Sequence, residues 1–394
     1  MKKIKIIDAI MGSGKTFNVI EEMKASNDPF LYVTPFLSEV DRIKANVKNV
    51  QDPKTFTNKN LLGEQETVYK RGSLLKMASQ GNNLATTHSL FSKLHKQDYR
   101  YFKNHKLILD EVINPIKVID MKPDDITIGF NEGLLFLDEE TGEVSYTGER
   151  YKGRFYADLK QDCDTKNVIY VNNRLLVWAF PPEIFESFKS VKVLTYLFEG
   201  SLLSYYFKYY NIQYEVVKED KSYEIELKRN IKELLNIYEG PCNKHGERMN
   251  AFSINWLKNL KPKNINSIKS CVANLLIRVF RTNSNDTIFT TAKNFKDKLK
   301  GKGYSKGFIV MNERATNKYA NKSTMVYLIN RYLKPAQIDF FRSRNIEVDE
   351  NLWALSEMLQ WIWRGCIRNN EPMNLYIPSK RMRTLLVNWI NNEI

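Results

Sequence analysis

Short, mostly apolar segments alternate with amphipathic segments through the N-terminal part of the chain. The apolar segments have the length and composition of buried strands, and they are KIKIIDAI, PFLYVTPF, NNLATTH and HKLILDEV. The amphipathic segments between them predict helices, and they are GSGKTFNVIEEMKAS, SEVDRIKANVKNV and HSLFSKLHK. Strands that alternate with helices in this way predict a parallel sheet that helices cover on both faces.

Residues 119–164 interrupt this alternation, and they hold 12 acidic but 5 basic residues. The interruption contains the segments ITIGF, LLFLDEETGEVSYTG and RYKGRFYADL. The DEETG turn between alternating segments predicts a β-hairpin. We therefore expect an acidic, β-rich insertion at about residues 119–175. The following segment, VKVLTYLFEGS, is expected to return to the first sheet.

A second α/β pattern follows, and it begins with the strand expected in IQYEVVK. Further strands are expected in DTIFTT, GFIVMN, TMVYLIN and MNLYIPS. Helices are expected in INSIKSCVANLLIRVF, AKNFKDKLKGK, WALSEMLQWIWRGCIR and RMRTLLVNWINN. The predicted fold class is therefore α/β with two lobes, residues 1–205 and 206–394, for which a chain of 394 residues is long enough.

Positive charge is concentrated in the second half of the chain. The 60 Lys and Arg residues outnumber the 45 Asp and Glu residues and give a net charge of +15. Residues 1–200 hold 28 basic and 27 acidic residues, a net of +1, whereas residues 201–394 hold 32 and 18, a net of +14. An excess confined to one half favours a nucleic-acid partner over a general contribution to solubility.

Simple sequence features argue against several classes of protein. No apolar run approaches the ~20 residues of a membrane span, and no signal-peptide cleavage site follows the N-terminal lysines. The four cysteines form no CxxC pair and the four histidines form no HExxH motif, which disfavours a disulfide framework and a zinc site. We expect a cytoplasmic protein without a membrane partner.

The segment AIMGSGKT follows an expected strand and precedes an expected helix, which is the context of a phosphate-binding loop. Its glycines let backbone N–H groups approach phosphates, and the helix N-terminus points its positive end at the same anion. Lys15 is expected to reach the β- and γ-phosphates of ATP, and Thr16 is expected to coordinate Mg²⁺. The predicted nucleotide-binding residues are Ala9, Met11, Gly12, Ser13, Gly14, Lys15 and Thr16.

The segment LILDE, from Leu107 to Glu111, predicts a buried strand that ends in two carboxylates. Ligands of open α/β sheets bind at this carboxyl edge of the strands. Asp110 is expected to hold Mg²⁺ through water, and Glu111 to orient and deprotonate the attacking water. A solvated loop start is the alternative interpretation, which the upstream phosphate loop disfavours.

With these motifs the chain resembles a superfamily 2 helicase with a DEAD/DEAH-type motor, and its C-terminal part is most similar to a phage-encoded group. The weaker motifs of the resemblance occur in the family's order, and they are YVTPF, ATTHSLF, LTYLFEGS, TIFTT, RATN and QWIWRGCIR. The resemblance spans nearly the full chain, and only the phosphate loop and LILDE are individually specific.

The resemblance implies a role for each motif. LTYLFEGS, with Thr195, Glu199 and Ser201, would couple hydrolysis to domain movement, and QWIWRGCIR would supply arginine fingers. The implied catalytic residues beyond the two specific motifs are Gln360, Arg364 and Arg368. The implied nucleic-acid contacts are Thr34, Pro35, Thr86, Thr87, His88, Thr290, Thr316 and Asn317.

The resemblance also implies a function for the whole chain. Two RecA-like lobes would bind ATP and Mg²⁺ between them and use hydrolysis to move along or unwind nucleic acid. DNA, single-stranded or forked, is the implied partner, together with replication proteins. A phage-encoded member would act in DNA replication or recombination in the cytoplasm of a bacterial host.

The chain departs from the family pattern at three points. Arg364 and Arg368 are four residues apart where the family usually has three, and on a helix either spacing leaves both on one face. Val112 and Ile113 replace the second half of a DEAD or DEAH box. No adenine-reading glutamine motif occurs among the eight residues before Ala9.

Two other functions share the nucleotide motifs. A genome-packaging ATPase would add a nuclease with clustered Asp residues, and residues 201–394 show no such cluster. An ATP-binding DNA clamp or switch without translocation has the same composition and stays open.

Two aromatic groups have competing interpretations as base-stacking or core residues. They are Trp353, Trp361 and Trp363 beside the expected arginine helix, and Tyr205, Tyr206, Tyr209 and Tyr210 after LTYLFEGS. Helical spacing favours packing for both groups. The basic segment AKNFKDKLKGK either contacts phosphates or faces solvent, and the role of the acidic insertion stays open.

Overall fold

The computed structural model describes residues 4–59, 65–148, 154–218, 221–311 and 317–394. The chain divides into two units. The first comprises Met1–Ala9, Gly14–Lys218 and Leu333–Val348, and the second comprises Ile10–Ser13, Glu219–Tyr332 and Asp349–Ile394.

Strands and helices alternate from the start of the chain. The elements up to residue 218 are β1 Ile4–Asp8, α1 Lys15–Ala25, β2 Phe30–Thr34, α2 Leu37–Asn46, β3 Val50–Gln51, β4 Phe56–Lys59, β5 Gln65–Val68, α3 Lys70–Ser79, β6 Asn83–Thr87, α4 His88–Phe91, β7 Lys106–Asp110, β8 Ile116–Val118, α5 Pro123–Asn131, β9 Leu135–Leu137, β10 Val144–Tyr146, α6 Arg154–Thr165, β11 Asn167–Val171, β12 Leu175–Ala179, α7 Glu183–Glu186, β13 Ser190–Thr195, α8 Leu202–Tyr209 and β14 Tyr214–Lys218. The later elements are α9 Lys221–Leu234, β15 Leu235–Ile237, α10 Ile254–Lys258, α11 Pro262–Asn274, β16 Thr287–Thr290, α12 Lys296–Leu299, β17 Thr324–Tyr327, α13 Pro335–Arg342, α14 Glu350–Ile362, β18 Met373–Tyr376 and α15 Lys380–Ile390.

The first unit is built on a seven-stranded parallel sheet with the strand order β14-β1-β13-β7-β2-β6-β3. Successive residues of β2 face opposite sides, and both sides are buried. Leu31 and Val33 belong to one core cluster, whereas Phe30 and Tyr32 belong to another with residues of α1 and α2. The predicted parallel sheet is confirmed, and so is the return of VKVLTYLFEGS as β13 between β1 and β7.

Two segments expected in the second lobe, residues 206–394, belong to the first unit. The strand in IQYEVVK does not begin the second lobe, because β14 pairs with β1 from Ile4 opposite Tyr214 to Asp8 opposite Lys218. Helix α13 also packs into the first core, where the ring of Phe340 stacks on Tyr209 with centroids 4.4 Å apart. A strand's apolar pattern shows that it is buried but does not show which sheet it joins.

The insertion has a small core of its own, formed by Ile126, Leu135, Val144, Leu159 and Leu176 among others. The predicted hairpin is confirmed as antiparallel β9 and β10, and an antiparallel sheet β11-β12-β8 lies beside it.

Two of its segments are helical, which corrects the expectation of β-structure there. ITIGF lies in α5, and part of RYKGRFYADL lies in α6. Pro123 in the first turn of α5 and the acidic residues Asp124 and Asp125 are helix-start signals that outweigh the β-branched residues.

The second unit is built on a four-stranded parallel sheet with the order β15-β18-β17-β16. DTIFTT, TMVYLIN and MNLYIPS form strands as predicted, and β15 was not predicted. The described part of GFIVMN, residues 307–311, forms a parallel bridge between Phe308 and Phe289 instead of a strand, and Asn312 lies outside the described residues. At this point the backbone of Gly307 lies so close to β16 that a Cβ there would be 2.1 Å from the Thr287 carbonyl oxygen.

Three predicted helices are shorter than expected. HSLFSKLHK contributes the four residues of α4, and AKNFKDKLKGK contributes a 3₁₀ turn, Lys293–Phe295, followed by the four residues of α12.

The third, WALSEMLQWIWRGCIR, ends as α14 at Ile362, before either of the predicted arginines. A Cβ at Gly365 would lie 2.5 Å from the Met373 sulfur, so the chain leaves the helix and presses against β18. Arg368 then lies in a separate 3₁₀ turn, Cys366–Asn369, and the expectation that Arg364 and Arg368 share one helical face is wrong.

Among the described residues, no helix combines the length and the apolar character needed to cross a membrane.

Candidate nucleotide-binding site

The loop between β1 and α1 turns at two glycines whose backbone lies in the left-handed region. Gly12 and Gly14 both have φ of +85°, a region that strains any residue with a Cβ. Gly14 is the N-cap of α1, and its carbonyl oxygen accepts the Asn18 N–H at 3.0 Å. The loop therefore delivers the chain into the helix N-terminus at Lys15, as the sequence predicts.

Three side chains of this loop show how it would receive an anion. The Lys15 ammonium group donates to the Ala9 carbonyl oxygen, so it lies over the loop. The Ser13 hydroxyl oxygen is buried without a hydrogen-bond partner among the described residues. A phosphate oxygen would supply a partner to both groups, and Thr16 is partly exposed on the first turn of α1.

Asp110 ends β7 and lies partly buried at the carboxyl edge of the first sheet. The Thr34 hydroxyl donates to Asp110 Oδ2 at 3.5 Å. Burial raises the pKa of Asp110 above its usual value, while the Tyr32 hydroxyl and the charges of Arg42 and Lys15 oppose the rise. Burial first, and then the neighbouring Asp110, raise the pKa of Tyr32 well above its usual value.

One strand, β13, separates β1 from β7, so the phosphate loop and Asp110 leave the same sheet edge two strand spacings apart, or about 10 Å. This separation leaves room for a triphosphate. Among the described residues no group of three or more His, Cys, Asp or Glu forms a metal cluster. Mg²⁺ usually binds through one or two protein ligands together with phosphates and water, so Thr16 and Asp110 fit that ion.

Glu111 has the unusual φ of +65°, which costs a residue with a side chain about 1–2 kcal/mol. Its N–H donates to the Leu194 carbonyl oxygen of β13 at 2.9 Å. The Asp110 carbonyl oxygen, in the same peptide unit, lies 3.1 Å from His88 Nε2. Hydrogen bonds from both sides therefore hold the peptide that aims Glu111.

Several residues predicted to contact nucleic acid are buried in the protein. Thr34 and Thr290 have 0% exposure and Thr86 has 3%. Pro35, Thr87 and His88 are half-buried, and the Thr87 hydroxyl oxygen caps α4 by accepting the Leu90 N–H at 3.4 Å. The structure thus brings the YVTPF and ATTHSLF motifs to the edge that carries Asp110, with few of their side chains at the surface.

The LTYLFEGS motif makes structural contacts. The Thr195 carbonyl oxygen accepts the Ala9 N–H at 3.0 Å, which fixes the start of the phosphate loop against β13. Ser201 caps α8, and Glu199 bonds to Lys208 at 2.7 Å and to Tyr214 at 3.0 Å.

The predicted residues of the second unit lie in different surroundings. Gln360 is half-buried on α14, and Arg368 is exposed. Arg364 is 4% exposed and donates to the carbonyl oxygens of Val310 at 3.2 Å and Met311 at 2.9 Å. Thr316 lies outside the described residues, as does the side chain of Asn317.

The packing interpretation is confirmed for most of the aromatic residues. Tyr205, Tyr206 and Tyr209 are buried in the first core, and Trp361 has 0% exposure. Trp353 is half-buried and lies against the Arg331 guanidinium group, 4.7 Å from its ring centroid.

Sequence reasoning missed Tyr32 and Arg42, which act on Asp110 from β2 and α2. Neither residue carries a motif signal, because one lies within an apolar strand and the other on an ordinary amphipathic helix. Sequence reasoning also assigned Thr34 and His88 to nucleic-acid contact alone, although both form hydrogen bonds with Asp110.

Comparison with known proteins gives both a fold and a family. The chain is similar to S. tokodaii Xpd4, with a TM-score of 0.51 and 12% identity over 98% of this chain and 94% of that one. This similarity confirms an α/β fold of two RecA-like domains with parallel sheets. The crystal structure of a hypothetical ATP-dependent RNA helicase from Sulfolobus tokodaii aligns over 99% of this chain and 90% of its own at 10% identity, with a TM-score of 0.26, which is too low to indicate a shared fold.

Relatives by sequence are more specific. Residues 116–178 match the YonV middle domain, and residues 229–390 match the YonV C-terminal Rossmann-like domain. The SPbeta prophage-derived protein YonV of Bacillus subtilis (strain 168) is 38% identical over 418 aligned residues that cover both chains completely. The chain therefore belongs to the YonV family.

Proposed function

We propose that this chain is an ATP-dependent nucleic-acid motor, a translocase or helicase of superfamily 2 type. The observation that carries the proposal is the pairing, at one edge of the first sheet, of the phosphate loop with the Asp110–Glu111 carboxylates across β13. The fold of two RecA-like domains supports it, because the similarity to S. tokodaii Xpd4 extends over nearly the whole chain.

ATP is the proposed substrate and Mg²⁺ its companion ion. Lys15 and the N–H groups of the loop would hold the phosphates, and Thr16 and Asp110 would hold the ion. When bound, Mg²⁺ would neutralise charge on the phosphates. Glu111 would orient the attacking water and accept its proton.

DNA is the proposed partner, with its phosphates as the main contacts. The net charge of +14 on residues 201–394 supports this, and many of the basic side chains between 261 and 306 are exposed. The exposed ones are Lys261, Lys263, Arg278, Arg281, Lys293, Lys300, Lys302 and Lys306. Contacts to phosphates carry no sequence information, which suits a motor that moves along a strand.

A role in phage DNA replication or recombination, in the cytoplasm of a bacterial host and alongside replication proteins, completes the proposal. The prophage-derived relative supports the phage setting. Single-stranded or forked DNA is the proposed substrate for movement.

ATP turnover measured with single-stranded DNA, duplex DNA and RNA tests the proposal. We expect stimulation by single-stranded DNA and loss of at least ~100-fold in Lys15→Ala, which removes a principal electrostatic stabiliser. Lys24→Ala is the matched control, since Lys24 lies at the other end of α1 in an exposed pair with Glu21. ATP turnover that nucleic acid does not stimulate would favour an ATP-binding DNA clamp or switch without translocation. Normal turnover in Lys15→Ala would exclude the phosphate-loop assignment.

A further inference from the structure

The peptide between Asp110 and Glu111 is held in place at both of its polar atoms. Its N–H donates to Leu194 on β13 at 2.9 Å, and its carbonyl oxygen lies 3.1 Å from His88 Nε2. A carbonyl oxygen only accepts hydrogen bonds, so the proton of the ring must be on Nε2. One side chain from outside β7 and β13 therefore fixes the orientation of this peptide.

The conformation that follows this peptide is strained. Glu111 has φ of +65°, in the left-handed region that residues with a Cβ avoid, and it persists where the surroundings over-determine it. Rotation of the Asp110–Glu111 peptide is the route by which the backbone would relax. Such a rotation would break the hydrogen bond with His88 and redirect the Glu111 side chain.

His88 is well placed for this role by the order of the strands. It begins α4 directly after β6, and β6 lies next to β2, which lies next to β7. Thr34 and Thr87 are partners in the β2–β6 register, and Thr34 bonds to the Asp110 side chain. The ends of these strands thus hold Asp110 by its carboxylate and by its carbonyl oxygen.

We propose that His88 is a positioning residue for Glu111, which it aims by holding the strained Asp110–Glu111 peptide. This inference rests on the proposed function, in which Glu111 orients the attacking water. His88 is the last of the three residues of ATTHSLF predicted to contact nucleic acid, after Thr86 and Thr87, so a DNA strand bound there would act on Glu111 through this hydrogen bond. The role differs from a direct contact between the ring and the strand.

Three variants test the proposal: His88→Ala, His88→Gln and the neighbouring Ser89→Ala. His88→Ala should lower kcat at saturating DNA by at least ~10-fold, as small misplacements of catalytic groups do, with the KM for ATP and the affinity for single-stranded DNA changed less than about twofold. His88→Gln should recover most of kcat, because its amide N–H can donate near the position of Nε2. Ser89 is exposed on the same turn, and its variant should behave as wild type.

A double-mutant cycle identifies the residue through which His88 acts. In the Glu111→Gln background, adding His88→Ala should change the residual turnover by less than about twofold, since the group being aimed is already disabled. The melting temperature of each variant distinguishes a misoriented Glu111 side chain from a destabilised protein. If His88→Ala is unstable, His88→Gln still provides the test.

The possible failures have different meanings. A fall in DNA affinity at unchanged kcat would mean that His88 contacts the DNA strand directly. Additive losses of turnover in the double-mutant cycle would mean that His88 does not act through Glu111. Either result overturns the inference and leaves the proposed motor intact. Absence of ATP turnover in the wild-type protein overturns both.

Discussion

The Thr34 hydroxyl donates to Asp110 Oδ2 at 3.5 Å, from a position that is fully buried. YVTPF, the first segment predicted to contact nucleic acid, therefore donates a hydrogen bond through Thr34 to the carboxylate that is predicted to hold Mg²⁺. Because β2 and β7 are adjacent strands, this contact requires no loop rearrangement and is fixed by the sheet. A DNA strand that binds beside Thr34 would therefore act on Asp110 in the candidate nucleotide site through this contact.

Glu111→Gln should bind ATP without hydrolysing it. The amide keeps the shape and hydrogen-bonding capacity of the side chain but cannot accept the proton of water. The ATP-bound state should accumulate, so affinity for single-stranded DNA in the presence of ATP should exceed that of wild type. Fluorescence anisotropy with a labelled oligonucleotide measures this.

Glu139→Gln is the control for this change, because Glu139 is exposed in the turn of the insertion hairpin and should leave turnover unaffected. Unchanged turnover in Glu111→Gln would remove Glu111 from the mechanism.

Asp110→Asn should stabilise the protein at neutral pH while abolishing turnover. Burial raises the pKa of Asp110 in the folded state, so its contribution to stability is full below the unfolded pKa and is lost as pH rises through the folded pKa. The neutral amide avoids this loss. The melting temperature of the variant should match wild type near pH 4 and exceed it increasingly towards pH 7.

A melting temperature below that of wild type at pH 7 would contradict the prediction. It would mean that the Tyr32 hydroxyl, Arg42 and Lys15 together stabilise the charged carboxylate more than burial destabilises it. Such a result would leave the role of Asp110 in turnover to be judged from kcat alone.

The candidate nucleotide site shows what a sequence can predict and what it cannot. The positions of Gly12, Gly14 and Lys15 at the start of α1, and of the carboxylate pair at the end of β7, could be predicted because they follow from local chain geometry. The hydrogen bond between His88 and the Asp110 carbonyl oxygen joins residues 22 positions apart through the order of three strands, which no local pattern encodes.

The second unit shows the same limit. The end of α14 depends on Gly365 meeting Met373 and Met325, two residues on other elements, so helical spacing alone extended the helix too far. The assignment of β14 to the first sheet likewise depends on its partner β1 and not on its own residues.

DNA binding should weaken steeply with salt and depend little on sequence. Each phosphate neutralised on a single strand contributes about −0.7 to the slope of log affinity against log salt concentration. Replacing the exposed Lys302 and Lys306 by Glu should make the slope shallower by about 0.7 for each phosphate that is no longer neutralised. Titrations between low and moderate salt measure the slope.

Lys117→Glu is the matched charge change, at an exposed position of β8 in the first unit, and it should leave the slope unchanged. A strong preference for one oligonucleotide sequence, or a salt slope near zero, would contradict a site that follows phosphates.

Arg364 and Arg368 should differ in what their loss destroys. Arg364 is buried and satisfies the Val310 and Met311 carbonyl oxygens, so Arg364→Ala should lower the free energy of unfolding by about 3 kcal/mol, the range for losing two charge-assisted hydrogen bonds in a buried site. Arg368 is exposed and lies beyond the end of α14, so Arg368→Ala should leave stability within about 0.5 kcal/mol of wild type.

If Arg368 is the arginine finger, its loss should lower kcat far more than ATP affinity, because a finger stabilises charge that develops in the transition state. Denaturant unfolding and ATP turnover on both variants separate the two roles, with Arg342→Ala, at an exposed position in the last turn of α13, as the control for loss of surface charge. Normal stability in Arg364→Ala together with a large loss of kcat would reverse the assignment and make Arg364 the residue that reaches the nucleotide.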